Sequence, residues 1–521
     1  MHRLLGFTLA LAAVACGDDS PAEPNGEGSS STATSEGSTG HSAGDSTDGD
    51  STSADGDSTS SDDGTPLAVE VEVFTYPNQP MVIDLALSAP DLEVSVEHAT
   101  DPGVRTGPRP SPDDQTWVRV RGLGPDTAHT LDWQAQAPDG RMASGQLDVQ
   151  TEAALPGYLP SFAVEGGGEG YGGYLLFDLL ELTPEAPASL FVVDPAGTTR
   201  WHLGRTDGVI GPASVFAGVK LRDDGTLLFI RDYTMFIIDE MGTEQLALSS
   251  TELGLPGLHH DVIELPSGNF MALSYTFRDI VYPDLGSTFV AGDLIVEIDP
   301  SGRVVWEWDA FDHLDPQRRR EGFEELIFDL QTLQNAQDWT HGNGIVYDPE
   351  ADAVVFSARH QDWLVQIDRG SGDVQWRFGE DGDFTLTAGT WPYHQHSPQW
   401  QDDGSLLLYD NGLGNPGLPD PQETSRAVRY TVDTNAMTAA QVWEDEAEDF
   451  MAPIAGDADR LPDGSLLITD SSIDMAIGMI YARVRQVDER SPGSPHWSFT
   501  TAIGTFIYRC VASMRLPGQT R

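Results

Sequence analysis

Four stretches of this chain are variations on one theme. LRDDGTLLFIRD from Leu221, ELPSGNFMALSY from Glu264, QWQDDGSLLLYD from Gln399 and RLPDGSLLITD from Arg460 each end a strand, turn on a glycine and start an apolar strand. A further unit around Tyr347 replaces that turn with DPEADAVVFSARH. Units often finish on a second hairpin carrying tryptophan: TTRWHLG, RVVWEWD, DVQWRFG and QVWED. A sheet of four short strands cannot bury both faces alone, so such units must stack and close into a ring. The expected fold is all-β, a six-bladed β-propeller over residues 154–521, with the terminal tryptophans packed between blades.

The chain before the repeats divides into three parts. Residues 66–153 alternate polar and apolar (VEVEVF, MVIDLAL, LEVSVEH, TWVRVRGL, HTLDWQAQA, GQLDVQT) with close-set turns, the pattern of a small β-sandwich. GLGPDTAHTLDWQAQ within it resembles the corner of a fibronectin III/Ig-like domain. Residues 16–65 are Ser, Gly, Thr and Asp without Lys or Arg, a composition that cannot offset its ordering entropy and implies a disordered linker. Residues 1–15 read as a signal peptide, with Arg3 ahead of an apolar run too short to span a membrane. Ala13-Val14-Ala15-Cys16 resembles a bacterial lipobox, which implies a lipoprotein cut before Cys16 and acylated on its sulfur; a plain secreted protein cut nearby is the alternative. The setting expected is the cell envelope, periplasm or outer-membrane surface, with the membrane touched only through the lipid anchor.

Charge narrows the function. Lys+Arg is 28 against Asp+Glu 83, a net charge of −55. Such a surface repels nucleic acid and anionic headgroups, so any site for an anion must be locally positive. Histidines and an arginine in register therefore carry information. Eight residues before the turn glycines Gly268 and Gly404 stand His260 and His396; the same count from Gly225 and Gly464 reaches Ala217 and Gly456. His341 opens the strand of the irregular unit, and Arg359 lies in the next strand. In a propeller the first strand of each blade lines the axis, so these four side chains are expected to meet there. Strand alternation favours His260 over His259 as the inward residue. His394 and His396 share a strand face and could join His341 in a metal site, but no carboxylate is seen at that register; no metal is expected. Between Asp315 and Gln337, Phe323, Leu326, Ile327, Leu330 and Leu333 recur at helical spacing, predicting an amphipathic helix that covers the edge of the ring or acts as a lid.

DWTHGNGIVYD, SARHQDWLVQID, and HQHSPQW followed by LLLYDNG, together with HHDVIELPSGNF and IYRCVASMRLPG, resemble the bacterial arylsulfate sulfotransferase family over about residues 155–515. The resemblance implies a propeller enzyme that moves a sulfuryl group from an aryl sulfate to a phenol, without 3′-phosphoadenosine phosphosulfate or any cofactor. It implies that His396 becomes a sulfohistidine, with His341, His260 and Arg359 as the other catalytic residues. Asn343, His259, Trp339 and Tyr393 are the substrate-contacting candidates, although the aromatic rings serve equally well as core. Imidazole is a nucleophile without negative charge, which suits a sulfur shielded by anionic oxygens, and a guanidinium fork suits sulfate oxygens. Implied partners are the small aryl sulfate and phenol; a homodimer is left open. The sequence departs from the pattern at His394 and at Cys510, which has no obvious disulfide partner, and the Arg359–His396 spacing is short. A non-catalytic propeller that binds a sulfated or phenolic ligand or a protein, and a metal-dependent hydrolase, remain the other readings.

Overall fold

The computed structural model describes residues 67–521 apart from 113, 154–159, 161, 167–170, 182–187, 205–214, 419–423, 446–449 and 474–477. The leader, Cys16 and the linker, and the start of the repeat region at residue 154, lie outside the described residues. The chain is all-β; among the described residues the α-helices are the short Ser250–Leu253 and Ala310–His313.

Residues 71–150 form two antiparallel sheets. One orders Val71–Thr75, Val82–Leu87, Thr116–Arg121 and Arg105–Arg109; the other orders Glu93–His98, Ala128–Gln136 and Met142–Gln150. Alternation works as expected on Ala128–Gln136, where every second residue is buried. Ile83, Leu85, Val118, Val120, Leu131, Trp133 and Leu147 form the core of this unit.

Among the described residues six further sheets follow, each with a core of successive antiparallel strands. Their first strands are Ala217–Leu221, Leu258–Glu264, Gly342–Asp348, His396–Trp400, Asp457–Arg460 and, at the C-terminus, Cys510–Ser513. The last of these pairs with Tyr174–Glu181, so the end of the chain completes the sheet at the start of the repeats. Ala163–Gly166 in turn adds to Trp497–Thr500, the outer strand of the sheet before it. Successive sheets share apolar clusters: Leu176 and Leu190 with Phe229, Leu258 with Ile230, Phe356 with Leu273, Val428 with Leu364, and Ile468 with Leu407. Phe177 and Phe191 meet Leu467 and Phe499, which joins the last sheet to the first.

The repeat-terminal tryptophans stitch these contacts. Trp201 donates Nε1–H to Glu240 O, Trp308 to Gly372 O, Trp443 to Glu489 O and Trp497 to Pro195 O, each a carbonyl in a turn of the neighbouring sheet. A ring that buries its body and keeps one N–H satisfied across an interface explains why tryptophan recurs there.

The two-sheet unit is bound to the repeats by buried charge. Arg119 and Arg121 both donate to Glu240, Arg200 donates to Asp101 at 2.5 Å, and Gln79 Nε2 reaches His202 O and Glu240 O. Gly518 allows this closeness: a Cβ there would stand 1.6 Å from Glu240 Oε2.

The helix expected between Asp315 and Gln337 does not form. Leu326–Asp329 and Gln334–Asp338 make a hairpin, and the second strand pairs in parallel with the long strand Gly286–Ile298. That strand's open edge supplies hydrogen-bond partners that outweigh local spacing. Asp329 builds the turn, accepting from Gln331 N and Thr332 Oγ1, and Leu333 takes φ +58°. Phe323 and Ile327 are buried, while Leu326, Leu330 and Leu333 face solvent. The hairpin carries Glu325 and Asp338 toward the site described next.

Candidate functional site

Most of the first strands open on a defect. Pairing with the second strand slips between Ala217 and Lys220, His259 and Val262, Gly342 and Gly344, and His396 and Gln399. At the same ends His260, His341 and Ser397 take φ of +55°, +48° and +49°. A bulge re-aims side chains that regular alternation would send to opposite faces, and left-handed backbone is uncommon outside glycine. The defect corrects the expectation for His259 and His260. Their rings are not on opposite faces: the two Nδ1 atoms lie 2.8 Å apart.

One cavity collects the expected side chains. His260, His341, Arg359 and His396 all line it, together with His259, Glu325, Tyr233, Tyr275 and Tyr508. The space within it, open solvent at the mouth included, is about 830 Å³. Leu180, Ile230, Leu258, Ile454 and Phe506 give it an apolar wall. The His260 and His341 rings are 4.9 Å apart, and Tyr508 stands 6.0 Å from His260 and 6.2 Å from His396.

Each imidazole is oriented by a specific neighbour. His396 Nδ1 lies 2.6 Å from Asn411 Oδ1 and 3.2 Å from His394 O. Asn411 Nδ2 donates to Ala452 O and Ala455 O, which fixes its amide with the oxygen toward the ring. Two acceptors at Nδ1 place the proton there and leave the lone pair on Nε2. His341 Nδ1 lies 2.5 Å from Asp338 Oδ2, which selects the same tautomer. Burial, reinforced by Arg359, pushes His396 far below the ordinary imidazole range and His341 down to about 3. Burial, then His341, does the same to His260. All three are neutral at pH 7. Burial also raises the Asp338 carboxyl to about 7.

Arg359 sits in the 3-10 turn Arg359–Gln361 and is 1% exposed. Its Nη1 approaches His360 Nε2 at 2.5 Å and its Nη2 donates to Pro453 O at 3.2 Å. Its Nε is buried without a partner. An unpaired guanidinium N–H in a cavity of neutral imidazoles is a costly arrangement that an anion relieves.

Other expected contacts fall elsewhere. Trp339 is 1% exposed in the core beside Phe311 and donates to Arg318 O. Tyr393 bonds Glu380 and lies under Arg320. Neither is among the cavity-lining residues; the tyrosines and phenylalanine that are come from other repeats, Tyr233, Phe506 and Tyr508 at strand ends or turns and Tyr275 from within the long strand Phe270–Tyr282. Asn343 is buried, donates to Gln395 O and does not line the cavity. His394 is buried with Nδ1 3.2 Å from Asp362 and does not line the cavity.

Carboxylates missing from the strand register arrive from the hairpin. Ligand atoms of Glu325, Asp338, His341 and His360 lie within 4.8 Å of one another. His341 Nδ1 is engaged by Asp338, His360 Nδ1 by Asp338 O and His360 Nε2 by Arg359. A guanidinium at that position opposes a cation, so the cluster is better described as a hydrogen-bonded support for Arg359 and His341. Asp338, Glu325, His360, Asn411 and Tyr508 were not singled out by sequence. Asp338 and Asn411 lie inside DWTHGN and LLLYDNG, but which partner each takes depends on strand pairing.

The arylsulfotransferase (ASST) family model matches residues 170–509, well over half of the chain and the whole span that builds the cavity. The chain belongs to the arylsulfotransferase family. Curated relatives include the arylsulfate sulfotransferases AssT of Escherichia coli O6:H1, 26% identical over 54% of this chain and 56% of the relative, and of Lelliottia amnigena, 27% identical over the same shares. The chain thus spans about half the length of the curated relatives it matches. Among solved structures, the calcium-binding protein regucalcin of Agrobacterium tumefaciens aligns at 14% identity over 66% of this chain and 97% of that one, with a TM-score of 0.28, too distant to inform fold or function.

Proposed function

We propose that this chain is an arylsulfate sulfotransferase, moving a sulfuryl group from an aryl sulfate to a phenolic acceptor through a sulfohistidine at His396. The observation that carries the reading is the gathering of His260, His341, Arg359 and His396 on one cavity, with Arg359 Nε buried and unpaired. Within it, His396 Nε2 attacks sulfur while Asn411 holds Nδ1–H. The S–O bond to the ring breaks and its electron pair leaves on the phenolate oxygen. Arg359 Nε–H donates to a sulfuryl oxygen, and His260 and His341 supply or receive the phenol proton. The acceptor phenol then reverses the sequence. The wall of Leu258, Ile230, Phe506 and the three tyrosines takes the aryl ring.

The same proposal takes the six sheets as blades of a six-bladed propeller, supported by the shared clusters that run from each sheet to the next and from last to first. It takes residues 66–153 as a fibronectin III/Ig-like sandwich and residues 1–15 as a signal peptide cleaved before an acylated Cys16. Incubation with 4-nitrophenyl sulfate and phenol tests the activity. Nitrophenol release that requires phenol and disappears in His396→Ala is expected; a folded protein that releases none from any aryl sulfate would sink the reading.

A further inference from the structure

A second carboxyl–imidazole chain runs into the same cavity. His259 Nδ1 and His260 Nδ1 are 2.8 Å apart, so one of the two must carry a proton and donate it to the other. The far nitrogen of His259, Nε2, lies 3.3 Å from Asp293 Oδ1. Neither atom has another hydrogen-bond partner, and both are buried. Tyr275 stacks on the His259 ring at 4.0 Å and holds its plane.

Asp293 is seated with care. Its Oδ2 accepts from Thr340 Oγ1 at 2.5 Å and from Gly342 N at 2.7 Å. Two donors on Oδ2 leave Oδ1 as the oxygen that can bear a proton, and Oδ1 faces His259. Gly342 is the residue that permits this: a Cβ at 342 would stand 2.4 Å from Asp293 Oδ1. The glycine between His341 and Asn343 therefore makes room for a carboxyl belonging to a different sheet.

We propose that Asp293, His259 and His260 form a proton wire that ends in a reservoir at Asp293. The inference rests on the sulfotransferase reading above. In the first half-reaction the departing phenolate takes the proton of His260 Nε2. His259 Nδ1–H passes to His260 Nδ1, and Asp293 Oδ1–H passes to His259 Nε2. Asp293 is left as a carboxylate. The charge of −1 that entered on the aryl sulfate now resides on Asp293, while sulfohistidine, a cationic ring bearing an anionic sulfuryl group, is neutral overall. In the second half the acceptor phenol gives its proton to His260 Nε2, and the wire returns it to Asp293. A double-displacement cycle needs such a store, because one proton is lost with the first product and recovered with the second substrate.

The groups facing this wire suit it. The Ser274 backbone and His341 stand beside His259; His341, Arg509, Arg359 and Asp261 stand around His260. Asp338 and Asp309 act on Asp293 from a distance. Burial first, opposed by Thr340, raises the Asp293 carboxyl to about 7. It therefore exchanges its proton near neutral pH, whereas an ordinary aspartate would be ionised throughout.

The test is leaving-group dependence. In Asp293→Asn the amide keeps the Thr340 and Gly342 contacts and donates permanently to His259, so no proton can be delivered. His259→Phe keeps the stack on Tyr275 and cuts the wire independently. The ratio of kcat/KM on 4-nitrophenyl sulfate, whose phenolate leaves unaided, to that on phenyl sulfate, whose phenolate needs the proton, should rise at least tenfold in both variants. A variant that loses both substrates equally, or keeps the wild-type ratio, overturns the wire. If Asp293→Asn does not fold, as read by circular dichroism, His259→Phe decides alone. Wild-type protein inactive on both donors would instead defeat the sulfotransferase reading itself.

Discussion

Asn411→Leu separates the orientation of His396 from its presence. The leucine roughly keeps the volume of the side chain but removes three hydrogen bonds: the 2.6 Å contact that accepts from His396 Nδ1, and the donations of 2.7 and 2.8 Å to Ala452 O and Ala455 O. At about 1 kcal/mol each, the loss of stability is about 3 kcal/mol, a fall in melting temperature of roughly 3–4 °C in a chain of this size. His396 Nδ1–H keeps only the 3.2 Å contact to His394 O, so the ring turns more freely and its Nε2 lone pair is presented less often. Loss of a partner that fixes a functional histidine typically costs roughly 10–100-fold, or about 1.4–2.8 kcal/mol in the barrier. The assay is kcat/KM on 4-nitrophenyl sulfate with phenol, at a temperature well below the variant's melting point. A folded Asn411→Leu protein within twofold of wild type would refute the argument that this amide sets the tautomer of the nucleophile.

Three more outcomes follow from the same contacts. Asp338→Asn, which removes the carboxylate on His341 Nδ1, should lower kcat by roughly 10²–10⁴ with little change in KM; steady-state kinetics check this, and an unchanged kcat means His341 works without its carboxylate. Burial lowers His202 to about 4, whereas its unfolded imidazole titrates near 6.5. Below pH 6.5 the unfolded chain takes up a proton that the folded one refuses, so up to about 3 kcal/mol present at pH 7 is lost as pH falls toward 4; thermal melts should show a smaller loss between pH 7 and pH 5 in His202→Asn than in wild type. Gly518→Ala places a Cβ 1.6 Å from Glu240 Oε2 at a φ of +82°; it should lower stability by about 1–3 kcal/mol by forcing Glu240 off Arg119 and Arg121, with kcat unchanged.

Much of this architecture was legible because it is repetitive. Turn glycines in register mark equivalent strands, and counting back from them brought His260 and His396 to one cavity across more than a hundred residues of chain. Local pattern failed where a neighbouring strand offered more than a helix could. Phe323 and Ile327 recur at helical spacing, yet the edge of Gly286–Ile298 draws the segment that follows Phe323 into a sheet. Alternation failed at His259 and His260 for a different reason: the bulge and the positive φ at His260 cancel the rule that separates adjacent side chains. Asp293 could not have been found from sequence, because nothing near VAGDLIVEI marks it, and its relation to Gly342 exists only once two sheets meet. Trp339 and Tyr393 stand beside site residues in the chain and point away from them in space.

Mapping of the sulfuryl adduct tests the central claim most directly. The protein is treated with 4-nitrophenyl sulfate without acceptor, digested at a pH that preserves the sulfamate-type N–S bond, and the modified peptide is sequenced by mass. One sulfuryl group on His396, discharged when phenol is added, is the predicted result. An adduct on another side chain, or turnover of the ester with His396 never modified, would contradict it.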